Sequence, residues 1–187
     1  MEYLEMSDLG KLFRVIYDAS KRSTASKNDH LIALIGFFTG ARISQILSLK
    51  GEDVFQHGGR WVVKIHALKR GDDAVKDIHI DADLAFDMSP LIDLAARRRS
   101  SLLFPTASRS NFNDRLKKYC ETAEIHSDFG HSHVLRLSAA MKIYDETERL
   151  GAVSHFLQHR SPATACCYLK ENDGKRAQAV MNAVRFA

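Results

Sequence analysis

Six residues in this sequence combine types and spacings that could do chemistry: Arg42, Lys69, His133, Arg136, His159 and Tyr168. In "TGARISQILSLKGEDV" Arg42 directly follows a glycine stop at the start of a helix, so its side chain can leave the core and reach a ligand, although a plain surface arginine reads the same way. "ALKRG" places Lys69 at the mouth of a turn. "HVLRLSAA" sets His133 and Arg136 at i and i+3, on one face of one helix. In "LQHRSPATACCYLK" Tyr168 comes nine residues after His159, either as a ring packed at the end of a helix or as a nucleophile. A guanidinium forks onto phosphate and stays charged. A phenol of pKa near 10 attacks at neutral pH only with positive charge or a base beside it.

These residues depend on the elements that carry them. Apolar residues recur at helical spacing over 7–22 (Leu9, Leu12, Phe13, Ile16) and 29–39 (Leu31, Leu34, Ile35, Phe38), which predicts two packed helices, the second ended by Thr39-Gly40. A short helix over 43–49 follows. "WVVKIH" (61–66) and "VKDIHI" (75–80) alternate and are β-branched, and the polar "KRGDD" between them is turn chemistry, predicting an antiparallel hairpin with 53–56 as a candidate third strand. Helical patterns return across Pro90 to about 99, over 111–124 with an Asn cap, over 133–148 and over 152–159. Ser161 is a good N-cap and Pro162 a good first residue for a helix over 162–169, and 174–185 reads as an amphipathic tail helix. The fold class expected is mainly α with a small antiparallel β-sheet, in a single domain over 1–187.

With 45% apolar and 27% charged residues, the composition is that of an ordinary globular protein. No apolar run approaches a membrane span, and Glu2, Glu5 and Asp8 break any signal-peptide pattern, so the expected location is cytoplasmic, with no membrane partner. Residues 1–90 carry 12 basic against 13 acidic side chains and residues 91–187 carry 15 against 10, so the basic excess lies in the half that holds Tyr168 and suits a polyanion such as DNA. "HSH" (131, 133) and "HFLQH" (155, 159) offer imidazoles, but no glutamate lies between His155 and His159 and no third cluster joins them, so neither a metal nor another cofactor is expected. The three cysteines, two of them adjacent (Cys166, Cys167), make no disulfide framework and are read as reduced thiols.

"TGARISQILSL" resembles the first arginine box of the tyrosine recombinases of the phage-integrase type, "HVLR" their His-x-x-Arg box, and "FLQHRSPATACCYL" their Leu-Gly-His box with its tyrosine nine residues on. The boxes occur in the family's order, from about Leu4 to Tyr168. The resemblance implies the catalytic-domain fold of that family and a site-specific DNA strand exchange. Tyr168 would attack the scissile phosphate and form a 3′-phosphotyrosyl link, releasing a 5′-hydroxyl. Arg42 and Arg136 would hold the non-bridging oxygens and Lys69 would protonate the departing 5′ oxygen. His133 and His159 would hydrogen-bond the phosphoryl group and help the proton transfers. The implied partners are double-stranded DNA, a homo-tetramer assembled on it, and accessory DNA-bending proteins. Preorganised cations can stabilise the spreading charge of such a transition state without a metal.

Three positions depart from the family pattern. Gln45 replaces an acidic residue after the first arginine, Leu137 replaces a histidine after the second, and Gln158 replaces a glycine. The Gln45 change suggests that Arg42 is supported by an amide. No N-terminal core-binding domain is recognised, and the tail 174–187 resembles a helix that relatives dock on a neighbouring subunit. Two other activities remain open: a type IB topoisomerase, disfavoured by the His159-to-Tyr168 spacing, and a non-catalytic DNA-binding regulator, disfavoured by the intact set of six.

Overall fold

The computed structural model describes residues 3–57, 60–66 and 89–157, and the backbone of 75–81. Helix α1 (Met6–Ser20) lays Leu9, Leu12, Phe13 and Ile16 against α2 (Thr24–Thr39), as their spacing predicts. Helix α2 begins five residues earlier than its apolar pattern, because Ser23 Oγ accepts the Ser26 N–H at 3.1 Å and starts the helix on polar residues. From Asp29 to Gly36 every residue of α2 is buried, since the helix runs through the middle of the domain between α1 and α6 (Ser132–Thr147). Helix α6 is similarly buried from Val134 to Met141, so two helices apolar on nearly all sides form the centre.

The sheet has three antiparallel strands in the order β1 (Val54–His57), β2 (Arg60–His66), β3 (Val75–Asp81). Val54 pairs with Val63, and Ile65 with Lys76. The candidate third strand is therefore present, shifted by one residue. Val63 and Ile65 point into the main core while Lys64 reaches over the Phe55 ring, the alternation of a half-buried sheet. Helix α3 (Ile43–Leu47) links α2 to this sheet, and α4 (Ser89–Arg98) closes over the turn before β1. Gly51 lies so near α4 that a Cβ would stand 2.3 Å from the Ala95 carbonyl oxygen, so glycine is required for this packing.

Helix α5 (Arg109–Thr122) is capped by Ser108, whose hydroxyl accepts the Asn111 N–H at 3.2 Å, and not by an asparagine. The predicted Asn111 lies one turn inside. Helix α5 is fixed to α2 by Asp29, which is wholly buried: Arg115 forks onto its carboxylate at 2.6 and 2.7 Å, and the Tyr119 hydroxyl donates to it at 2.9 Å. Burial raises the Tyr119 phenol above its usual range, keeping it a donor. Burial also pushes the Cys120 thiol up to about 11, which leaves it unreactive. Helix α7 (Leu150–Phe156) packs Val153 and Leu157 on Ala140 of α6, with Tyr144 alongside. No helix among the described residues is long and apolar enough to cross a membrane.

Candidate active site

A surface cavity of about 320 Å³ opens where the first turns of α3, α5 and α6 meet. Arg42 and Ser44 line it from α3, Arg109 from α5, and Ser132, His133 and Arg136 from α6. Among the described residues that line it, none is a carboxylate. First-turn residues of both α5 and α6 stand in its wall, so the positive ends of two helix dipoles add to three guanidinium charges. Such a place is built for an anion.

The sequence "TGAR" explains how the first arginine arrives. Thr39 hydrogen-bonds back to the Ile35 carbonyl at 2.6 Å and accepts the Ala41 N–H at 3.1 Å, ending α2. Gly40 then turns left-handed at φ 62°, a conformation that favours glycine, and a Cβ there would lie 2.6 Å from the Phe156 ring. Two residues later Arg42 is extended, caps α3 and is exposed at the cavity. Its backbone N–H donates to Gln45 Oε1 at 2.9 Å, while Gln45 Nε2 donates to the His66 carbonyl at 3.0 Å. The amide at position 45 thus acts on the Arg42 main chain and joins it to the end of β2. A carboxylate could accept the first bond but could not donate the second.

Gln45→Glu is accordingly expected to lower stability at pH 7 by about 1–3 kcal/mol, the cost of leaving the half-buried His66 carbonyl facing a buried carboxylate. The introduced acid can donate once protonated, so its folded pKa is expected above the unfolded value near 4.3. The deficit should therefore shrink as pH falls through the raised pKa, and urea melts at pH 4.5 and 7.5 will measure it. A deficit independent of pH would refute this account of the amide.

Arg136 sits at the floor of the cavity, 3% exposed, and its position is over-determined. One terminal nitrogen donates to the Gly40 carbonyl and the other to the Leu157 carbonyl at 2.6 Å, so the guanidinium is clamped between the end of α2 and the end of α7. Val134, Leu135 and Leu137 are buried around it, as their apolar character predicts. His133 lies one turn earlier and is exposed. Partial burial, then Arg136, His131, Arg42 and Arg109, lower its pKa below 6.5, so it is a neutral imidazole at pH 7, with one donor and one acceptor. Protonating it costs the fold: that penalty is absent above pH 6.5 and grows as pH falls toward the lowered value.

The Asp53 carboxylate, itself buried, lies 2.7 Å from His66 Nε2 and accepts the Lys50 N–H at 2.8 Å. With the Gln45 bond, this fixes both the side chain and the carbonyl of the last β2 residue. Lys69 is three residues further on and lies outside the described residues, as do His159, Tyr168, Cys166, Cys167, the expected helix 162–169 and the tail 174–187. Of the six expected site residues, the structure brings Arg42, His133 and Arg136 together. It adds Arg109, which the sequence analysis passed over in the polar "TASRSNFND"; the available signal was its place directly after a serine cap.

The phage integrase family model matches residues 11–175. The tyrosine recombinase XerH of Campylobacter jejuni is 22% identical over 179 residues, which cover 93% of this chain and 49% of that protein. A crystal structure of the XerH site-specific recombinase bound to difH substrate, in a pre-cleavage complex, superposes with a TM-score of 0.75 at 22% identity, over 91% of this chain and 51% of that one. A crystal structure of XerA recombinase gives 0.69 at 18%, over 94% and 65%. The Tn1549 transposon integrase in complex with transposon right end DNA gives 0.67 at 14%, over 89% and 61%. The fold is shared with all three, and the chain spans about half the length of XerH.

Proposed function

The chain belongs to the phage integrase family, and from that premise we propose that it is a site-specific DNA recombinase cleaving and rejoining strands through Tyr168. The observation that carries the proposal is the cavity in which Arg42, Arg136 and a neutral His133 converge with no carboxylate among its described lining residues. The two guanidiniums hold the non-bridging oxygens of one backbone phosphate. Arg136, buried and clamped, is set before substrate arrives, so its charge acts on the transition state without reorganising.

The Tyr168 oxygen attacks phosphorus while the bond to the 5′ oxygen breaks, and Lys69 supplies the proton that oxygen needs to leave. The proton lost by Tyr168 passes to an imidazole, that of His159 or of the neutral His133. One phosphodiester is exchanged for another, so a 5′-hydroxyl from a partner strand reverses the step without ATP. Four protomers on two duplexes, helped by DNA-bending proteins, make the exchange productive, and the work is cytoplasmic. Residues 1–187 act as one catalytic domain, a reading supported by the main apolar cluster of the described residues, which runs from Leu4 to Leu135.

The test uses duplexes selected from random DNA for binding, each carrying a nick at successive positions so that the released fragment diffuses away. The wild-type chain is expected to form a covalent adduct at one nick position, and Tyr168→Phe, with an unchanged melting temperature, none. Binding without any adduct from the wild type would replace this reading with that of a DNA-binding regulator, and an adduct surviving in Tyr168→Phe would move the nucleophile elsewhere.

A further inference from the structure

Among the described residues, Arg109 is the one guanidinium of the cavity that the cleavage chemistry above does not use. It stands exposed at the first position of α5, in the same wall as Arg42, His133 and Arg136. Its root is rigid with respect to them. Ser108 caps the helix, Asn113 Oδ1 accepts the Ser132 N–H at 2.9 Å, and Gly130 lies so close to α5 that a Cβ would be 2.5 Å from Lys117 Cα. Helix α5 is therefore stitched to the start of α6, and Arg109, at the first position of α5, cannot drift from the site as a loop arginine could. Arg109 also contributes to lowering both His131 and His133, so it shares their electrostatic space.

Three arginines around one cavity repel each other unless an anion joins them. A DNA phosphate has only two non-bridging oxygens, and two forked guanidiniums already occupy them. The strand carries a charge about every 3.4 Å of axis, so a cleft that holds one phosphate meets its neighbours directly. We propose that Arg109 binds the backbone phosphate next to the one held by Arg42 and Arg136, setting the register of the strand in the cavity. Unlike the buried and clamped Arg136, it acts as a binding contact. The inference rests on the reading of the ligand as duplex DNA, but not on cleavage taking place.

The test measures binding alone, with a fluorescent 30-base-pair duplex titrated at several salt concentrations. Arg109→Gln is expected to weaken binding several-fold and to reduce the slope of log K against log salt by about 0.9, one phosphate's worth, while Arg109→Lys keeps most of the slope. Neutral methylphosphonate linkages are then placed one at a time in a selected binding site. One linkage is expected to weaken the wild type but not Arg109→Gln, and it should adjoin the linkage that behaves so for Arg42→Gln. An unchanged salt slope, no coupled linkage, or coupling of both arginines to the same linkage would overturn the proposal. If these binding results hold while no nick traps an adduct, Arg109 retains its role and the cleavage reading alone fails.

Discussion

Asp29→Ala is expected to destabilise the protein by about 3 kcal/mol, read in a urea melt, with a melting temperature lower by roughly 6–12 °C. Asp29 is fully buried in the middle of α2, and three donors converge on its carboxylate from α5: two from Arg115 and one from Tyr119. Removing it leaves the Tyr119 hydroxyl without its acceptor and the guanidinium without its counter-charge. Arg115 is 30% exposed and can turn toward water, which holds the loss near the lower end of what breaking a buried pair costs. Arg115→Ala should cost more, because the carboxylate it strands has no water beside it. The reverse order, or a loss below 1 kcal/mol for Asp29→Ala, would mean that α5 is held to α2 by its apolar contacts alone.

That network also marks where the sequence was silent. Asp29 stands 86 residues before Arg115, inside a polar stretch that looks like a helix start, and nothing local distinguishes a buried aspartate from a capping one. The same stretch hid the true beginning of α2, since "STASKND" has only Ala25 as an apolar residue, too few to carry a helical period, while Ser23 is already capping. Elements with strong periods were legible: α1, the later part of α2, and the pairing of β2 with β3. Burial on all sides of α6 was half legible, because Val134, Leu135 and Leu137 flank Arg136 and a helix apolar on several faces has to be central.

For the site, residue type and order pointed to Arg42, His133 and Arg136, and the structure joins those three. Support of Arg42 by the Gln45 amide was legible from the motif, but its second partner, the His66 carbonyl, was not, because that carbonyl comes from the end of a strand. Arg109 was marked only by the serine cap before it, as its neighbours in space are more than twenty residues away along the chain. Charge-bearing residues on helix ends carry little periodic signal, so pattern reading finds them only when a motif surrounds them.

Arg136→Lys is expected to reduce the single-turnover rate of adduct formation by about 10³-fold while changing DNA affinity much less. Lysine keeps the charge, so an electrostatic contact alone would survive the exchange. What it loses is geometry: a single ammonium cannot reach the Gly40 and Leu157 carbonyls and also fork onto two phosphate oxygens. The stranded carbonyls add a stability cost of about 1–3 kcal/mol each, so the rate has to be measured below the variant's melting transition, with folding checked by circular dichroism. Arg42→Lys provides the contrast. Arg42 is exposed and its side chain is not clamped among the described residues, so less preorganisation is lost with its fork and its rate should fall by a smaller factor. The rate and the affinity separate the two roles, because a group that acts only in the transition state lowers the first and spares the second. If Arg136→Lys weakens binding and rate in equal proportion, the buried guanidinium is a ground-state anchor and the clamp between α2 and α7 serves the fold instead of the reaction.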